Sequence, residues 1–105
     1  MAEHAVLVYF KLSDDEFGTT LEREQIQELS DRLAEAIEGN VAGEFDGDEF
    51  GEGHCTLFMY GPDADVLFEV IEPILSDSPL RCGGYAIKRY GEASDENARE
   101  TRVDL

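Results

Sequence analysis

Residues 43–62, GEFDGDEFGEGHCTLFMYGP, restrict the fold more than any other stretch of the chain. An acidic segment broken by glycines passes through Gly51-Glu52-Gly53 into 55–60, a strongly apolar run. Two extended runs joined by a glycine-flanked turn predict a β-hairpin. In the first run, about 41–50, alternation places Glu44, Asp46 and Asp48 on one side and Val41, Gly43 and Phe45 on the other. Interior glycines predict a bulge or bend there. In the second run, His54 to Tyr60, the residues Cys55, Leu57 and Met59 face one way, with His54, Thr56, Phe58 and Tyr60 opposite.

The flanking sequence supplies the partners of that hairpin. Residues 4–12, HAVLVYFKL, are apolar with little interruption, as expected of a central strand buried on both faces. Val6, Val8 and Phe10 share one face, with Leu7 and Tyr9 on the other. The segment 13–18, SDDEFG, reads as an acidic link. A helix follows over about 20–38: Thr19 and Glu22 have capping-box spacing, and Ile26, Leu29, Leu33 and Ile37 form one apolar stripe. Gly39-Asn40 is expected to supply its left-handed stop. After Gly61-Pro62, Asp63 or Asp65 caps a second helix to about Ser76, with Pro73 expected to kink or shorten its last turn. A fourth strand is expected over about 81–90, and the polar tail 91–105 either frays or adds a short edge strand at 101–105.

The order β-α-β-β-α-β predicts an α+β fold, a ferredoxin-like sandwich with a four-stranded antiparallel sheet and two helices on one face. It assigns 1–90 to a single domain and 91–105 to a tail or edge strand of the same domain. The chain resembles a group of small, acidic, functionally uncharacterised bacterial proteins that share the phrases GEFDGDEF and YGPDAD. That resemblance implies the ferredoxin-like fold and carries no activity with it.

Charge is the strongest compositional signal. Twenty-five acids against eight bases leave a net charge of −17, and only Lys11 and Lys88 among the bases are lysines. Direct nucleic-acid binding depends on cations that neutralise phosphates, so it is disfavoured, and an anionic membrane surface repels such a chain. No apolar run approaches the roughly 20 residues that span a bilayer, and the N-terminus lacks a basic leader, so a cytoplasmic protein is expected. Cys55 and Cys82 give no disulfide framework and fit a reducing compartment.

Two constellations stand out. Asp46, Asp48, Glu52 and His54 form a candidate divalent-metal or small-ligand site, since carboxylates two apart on a strand share a face. Read as a calcium loop from Asp46, the segment fails at Phe50 and Leu57, where oxygen ligands belong. Against a metal stands the use of edge acids to discourage aggregation. Tyr9, Phe58, Tyr85, Lys88 and Arg89 form a candidate binding surface: Tyr9, Phe58 and Tyr85 for an open sheet face, and Tyr85, Lys88 and Arg89 within the basic, aromatic end of the fourth strand, which also includes Arg81 and Tyr90. Cys55 sits among acids that destabilise a thiolate, so it reads as a small hydrophobe, and Asp63 with Asp65 reads as helix capping. Nucleotide-binding glycine loops, CxxC and GxSxG are all missing from the sequence.

The leading expectation is therefore a non-enzymatic module that binds a protein partner, or a second copy of itself as a homodimer, through the open sheet face. A metal or small-ligand site at 46–54 is the alternative. A second alternative is an acidic inhibitor or immunity-type protein that mimics nucleic acid.

Overall fold

The computed structural model describes residues 3–12, 19–78, 84–92 and 94–105. The expected link 13–18 and the residues Arg81, Cys82 and Gly83 lie outside the described residues. Seven elements follow one another: β1 (His4–Lys11), α1 (Thr20–Gly39), β2 (Glu44–Gly51), β3 (His54–Gly61), α2 (Ala64–Ser76), β4 (Tyr85–Arg89) and β5 (Glu100–Asp104). The fold is α+β: two helices and one five-stranded antiparallel sheet in the order β2-β3-β1-β4-β5. Among the described residues no helix is long and apolar enough to cross a membrane.

The expectation of four strands is corrected. Residues 100–104 pair with β4, Arg89 opposite Glu100 and Tyr85 opposite Asp104, so the ferredoxin-like arrangement is not matched exactly. Their alternation carries only one apolar side chain, Val103, which packs against the core, and the sequence signal for a strand is correspondingly faint.

The core lies between the helices and one face of the sheet. Val6, Val8 and Phe10 of β1, Cys55, Leu57 and Met59 of β3, and Ala86 of β4 meet Ile26, Leu29, Leu33 and Ile37 of α1 and Leu67, Ile71 and Leu75 of α2. Each large side chain among them contributes about 1.5–3 kcal/mol by leaving water. The expected faces of β1 and β3 and the stripe of α1 are all present.

Local chemistry sets the helix ends. Thr19 Oγ1 accepts from the Glu22 amide at 3.1 Å, while Glu22 Oε1 accepts from the Thr19 amide at 2.9 Å, completing the expected capping box. The stop of α1 differs from expectation. Asn40 keeps a negative φ of −101°, and Val41 takes the left-handed position with φ +51°. The Ala42 amide donates to the Ile37 carbonyl at 3.0 Å and the Val41 amide to Glu38 at 3.2 Å, the pattern of a Schellman motif. Asp63 caps α2, and that helix runs on to Ser76, so Pro73 does not shorten it.

Candidate binding face

β2 and β3 join through Glu52 and Gly53, both with positive φ (+51° and +78°), as a two-residue hairpin of mirror-image turn type requires. The register then fixes what the helix-free face of the sheet presents. Phe58, Leu7 and Ile87 lie side by side across β3, β1 and β4. The next row reads Glu49, Thr56, Tyr9, Tyr85 and Asp104 across all five strands. On the other flank come Glu44, Tyr60, Ala5, Arg89 and Glu100. Leu7, Tyr9, Phe58, Tyr60, Tyr85 and Ile87 are all half-buried.

The aromatic centre is ordered by contacts on the face itself. Tyr9 and Tyr85 stack with centroids 4.8 Å apart and planes 18° from parallel. The Arg102 guanidinium lies 4.0 Å over the Tyr85 ring and donates through Nε to Asp104 at 3.0 Å. Burial, and next the neighbouring Tyr85, push the Tyr9 phenol above its ordinary value.

Beside Tyr9 the face dips into a concavity of about 580 Å³, lined by Tyr9, Phe58, Thr56, His54, Glu49 and Glu52. The dip has a steric origin. Thr56 is the short member of its row, and Gly51 and Gly47 stand opposite His54 and Phe58 without side chains. His54 Nδ1 lies 3.0 Å from the Glu52 carbonyl oxygen, which accepts its proton and holds the ring over the turn.

The two constellations read from sequence fare differently. A register shift between Phe45 and Gly47 breaks the alternation of β2 at Asp46, the bulge that the glycines foretold. Glu44 consequently pairs opposite Tyr60 on the helix-free face, whereas Asp48 pairs opposite the buried Leu57 on the helix side. The expected single acidic side is therefore divided. Among the described residues no group of three or more His, Cys, Asp and Glu side chains gathers closely enough to hold a metal ion, so Asp46, Asp48, Glu52 and His54 do not converge.

Tyr9, Phe58, Tyr85 and Arg89 do share the helix-free face, but Lys88 does not. Lys88 pairs opposite Val6 on the helix side, donates to Asp65 Oδ1 at 3.0 Å and sits 5.3 Å from the Phe68 ring centre. The basic strand end is thus split between two faces. Asp65, expected to serve capping, instead ties α2 to the end of β4 by also accepting from the Tyr90 hydroxyl at 2.6 Å. Burial and the nearby Asp48 carboxylate push the Cys55 thiol up to about 12, in keeping with its reading as a small hydrophobe.

Leu7, Tyr60 and Ile87 belong to the same face, and plain alternation along the strands points to each of them. Arg102 had no such signal, because its strand carries little apolar pattern. Comparison with known proteins gives no relative: no family model, curated protein or solved structure matches this chain.

Proposed function

We propose that the chain is a non-enzymatic binding module that docks a basic protein partner on the helix-free face of its sheet. The observation that carries this reading is the aromatic and aliphatic centre of that face, Leu7, Tyr9, Phe58, Tyr60, Tyr85 and Ile87. Among the described residues both helices pack on the opposite side. Faces of this kind, apolar at the centre and charged at the rim, suit protein association. Glu44, Glu49, Glu100 and Asp104 furnish the acidic rim.

Charge favours a basic partner over a second copy. Two copies would each bring a net charge of −17 to the contact, whereas a cationic partner is drawn in by the same field. We read β1–β4 with the two helices as a ferredoxin-like unit extended by β5. That scaffold supports enzymes and binding modules alike, so the reading rests on the face rather than on the fold.

The test is a nuclear magnetic resonance titration with synthetic basic peptides that also carry apolar residues, beside light scattering of the free protein. Shifts confined to the six named residues, and weakened at least tenfold by Leu7→Asp with Ile87→Asp, are the expected result. Shifts spread evenly over the acidic surface, or a concentration-dependent dimer that hides the face, would overturn the reading.

A further inference from the structure

The geometry points to a specific receptor on that face: the concavity between Tyr9 and Glu49 accepts a guanidinium, carried by an arginine of the basic partner. The inference rests on the reading of the face as a docking surface and names the group that the face recognises.

The row Glu49–Thr56–Tyr9–Tyr85–Asp104 has a carboxylate at each end and a stacked aromatic pair near its middle. At the β5 end the chain shows how such a surface holds a cation. The Arg102 guanidinium lies 4.0 Å over Tyr85 while its Nε donates to Asp104 at 3.0 Å. Lys88 repeats the arrangement on the helix side, between the Phe68 ring and Asp65. At the β2 end, Tyr9 and Phe58 furnish rings and Glu49 and Glu52 carboxylates around a floor made by Thr56. Among the described residues no cation forms an ion pair with Glu49 or Glu52. Lys11, opposite His54 in the next row, pairs with neither.

The chemistry selects a guanidinium among cations. Its plane stacks on an aromatic ring, its weak hydration makes entry into a partly apolar dip cheap, and its fork of donors matches carboxylates. The described residues gather no group of three or more His, Cys, Asp and Glu side chains here, so the dip lacks the carboxylate cage that favours a calcium ion over a guanidinium.

The probe is N-acetyl-arginine methylamide, titrated at about 0.15 M salt, where exposed charges more than about 8 Å apart are largely screened. Amide shifts should localise to Tyr9, Glu49, Glu52, His54, Thr56 and Phe58. Binding should weaken at least tenfold in Glu49→Gln with Glu52→Gln, and again in Thr56→Phe, which fills the floor. The lysine analogue should bind several-fold more weakly and the neutral citrulline analogue not measurably. Equal binding of arginine and citrulline analogues, or shifts unchanged in both variants, would overturn the inference. If basic peptides still bind the face and respond to Leu7→Asp with Ile87→Asp, but not to Glu49→Gln with Glu52→Gln, only the arginine receptor fails. If the arginine analogue docks while no basic peptide engages Leu7 and Ile87, the docking reading fails and the small-cation site stands alone.

Discussion

Gly43 and Gly61 meet backbone to backbone where the chain enters β2 and leaves β3. A Cβ on Gly43 would run into the Tyr60 carbonyl oxygen and come within 2.9 Å of Gly61 Cα, and one on Gly61 would strike the Ala42 carbonyl oxygen. Gly43 also holds φ +151°, which side-chain-bearing residues rarely adopt. The obstructing atoms are main chain and have no rotamer to give. Gly43→Ala and Gly61→Ala should each destabilise by about 3 kcal/mol or more, in the range of severe single substitutions. Gly39, at the end of α1 with open space where a Cβ would stand, is the control. Gly39→Ala should be neutral or stabilising by up to about 1 kcal/mol. Urea unfolding of the three variants checks the contrast, and similar midpoints for all three would refute it.

Val41 is a β-branched residue in a left-handed conformation, with φ +51° and 88% of its surface exposed. The Schellman geometry demands that conformation, and the side chain gains almost nothing from burial in return. A non-glycine residue there costs roughly 1–2 kcal/mol. Val41→Gly should therefore stabilise by about 1 kcal/mol, and raise the melting temperature by about 4–8 °C for a domain of this size. Calorimetry decides it: an unchanged or lower transition would show that Val41 carries no net strain.

The same two positions show where sequence reading stops. Gly39-Asn40 was the natural stop for α1, since those residue types favour left-handed backbone. The left-handed position falls instead on Val41, and the Schellman pair closes on Ala42, which is buried at 3% exposure. Periodicity located β1, β3 and both helices because each contributes a regular apolar face to one core. It left β5, whose residues are mostly exposed, undecided between a frayed tail and an edge strand, and it failed on the parity of β2. Glycines at 43 and 47 announced a bulge, yet only the pairing with β3 says which residue is extra and hence on which face Asp48 falls. On the candidate face, Tyr9, Phe58 and Tyr85 were legible from alternation. The concavity was not, because it depends on Thr56, Gly51 and Gly47 falling opposite particular neighbours.

Asp65 gives the chain a defined pH response. Hydrogen bonds from Tyr90 and then Lys88 hold its carboxyl below the ordinary value, so its contribution is present above the usual carboxylate range and is lost as pH falls through the depressed folded value. Lys88, bonded first to Asp65, is raised above 10.5, so its contribution is full below that value and is lost as pH rises through the higher folded one. The stability gap between the wild type and Asp65→Asn should be flat from about pH 5 to about pH 10 and close towards either extreme. Tyr90→Phe should move the Asp65 carboxyl back towards the ordinary value in a carbon-detected titration. An unmoved value would show that the hydroxyl is not the main cause.

Cys55 is fully buried, and its thiol is pushed up to about 12 by burial and by Asp48. In a Cys82→Ser background, alkylation at pH 8 should proceed only through opening of the fold, at least a hundredfold more slowly than in denaturant. Asp48→Asn should lower the thiol value without exposing it. Labelling as fast in the native protein as in the unfolded chain would contradict the placement of Cys55 in the core.

Salt separates the two consequences of the −17 charge, because folding and partner binding respond to it with opposite signs. Acids crowded on a small fold repel one another, and raising sodium chloride from about 0.01 M to about 1 M shortens the screening length from roughly 30 Å to roughly 3 Å. The melting temperature should therefore rise over that range. Docking of a basic peptide draws on the same field as attraction, so its affinity should fall as the melting temperature rises. A melting temperature that falls with salt would mean that attractive pairs such as Lys88–Asp65 outweigh the repulsion. A peptide affinity indifferent to salt would leave the apolar centre of Leu7, Phe58 and Ile87 as the sole basis of docking, and the requirement for a basic partner would be wrong.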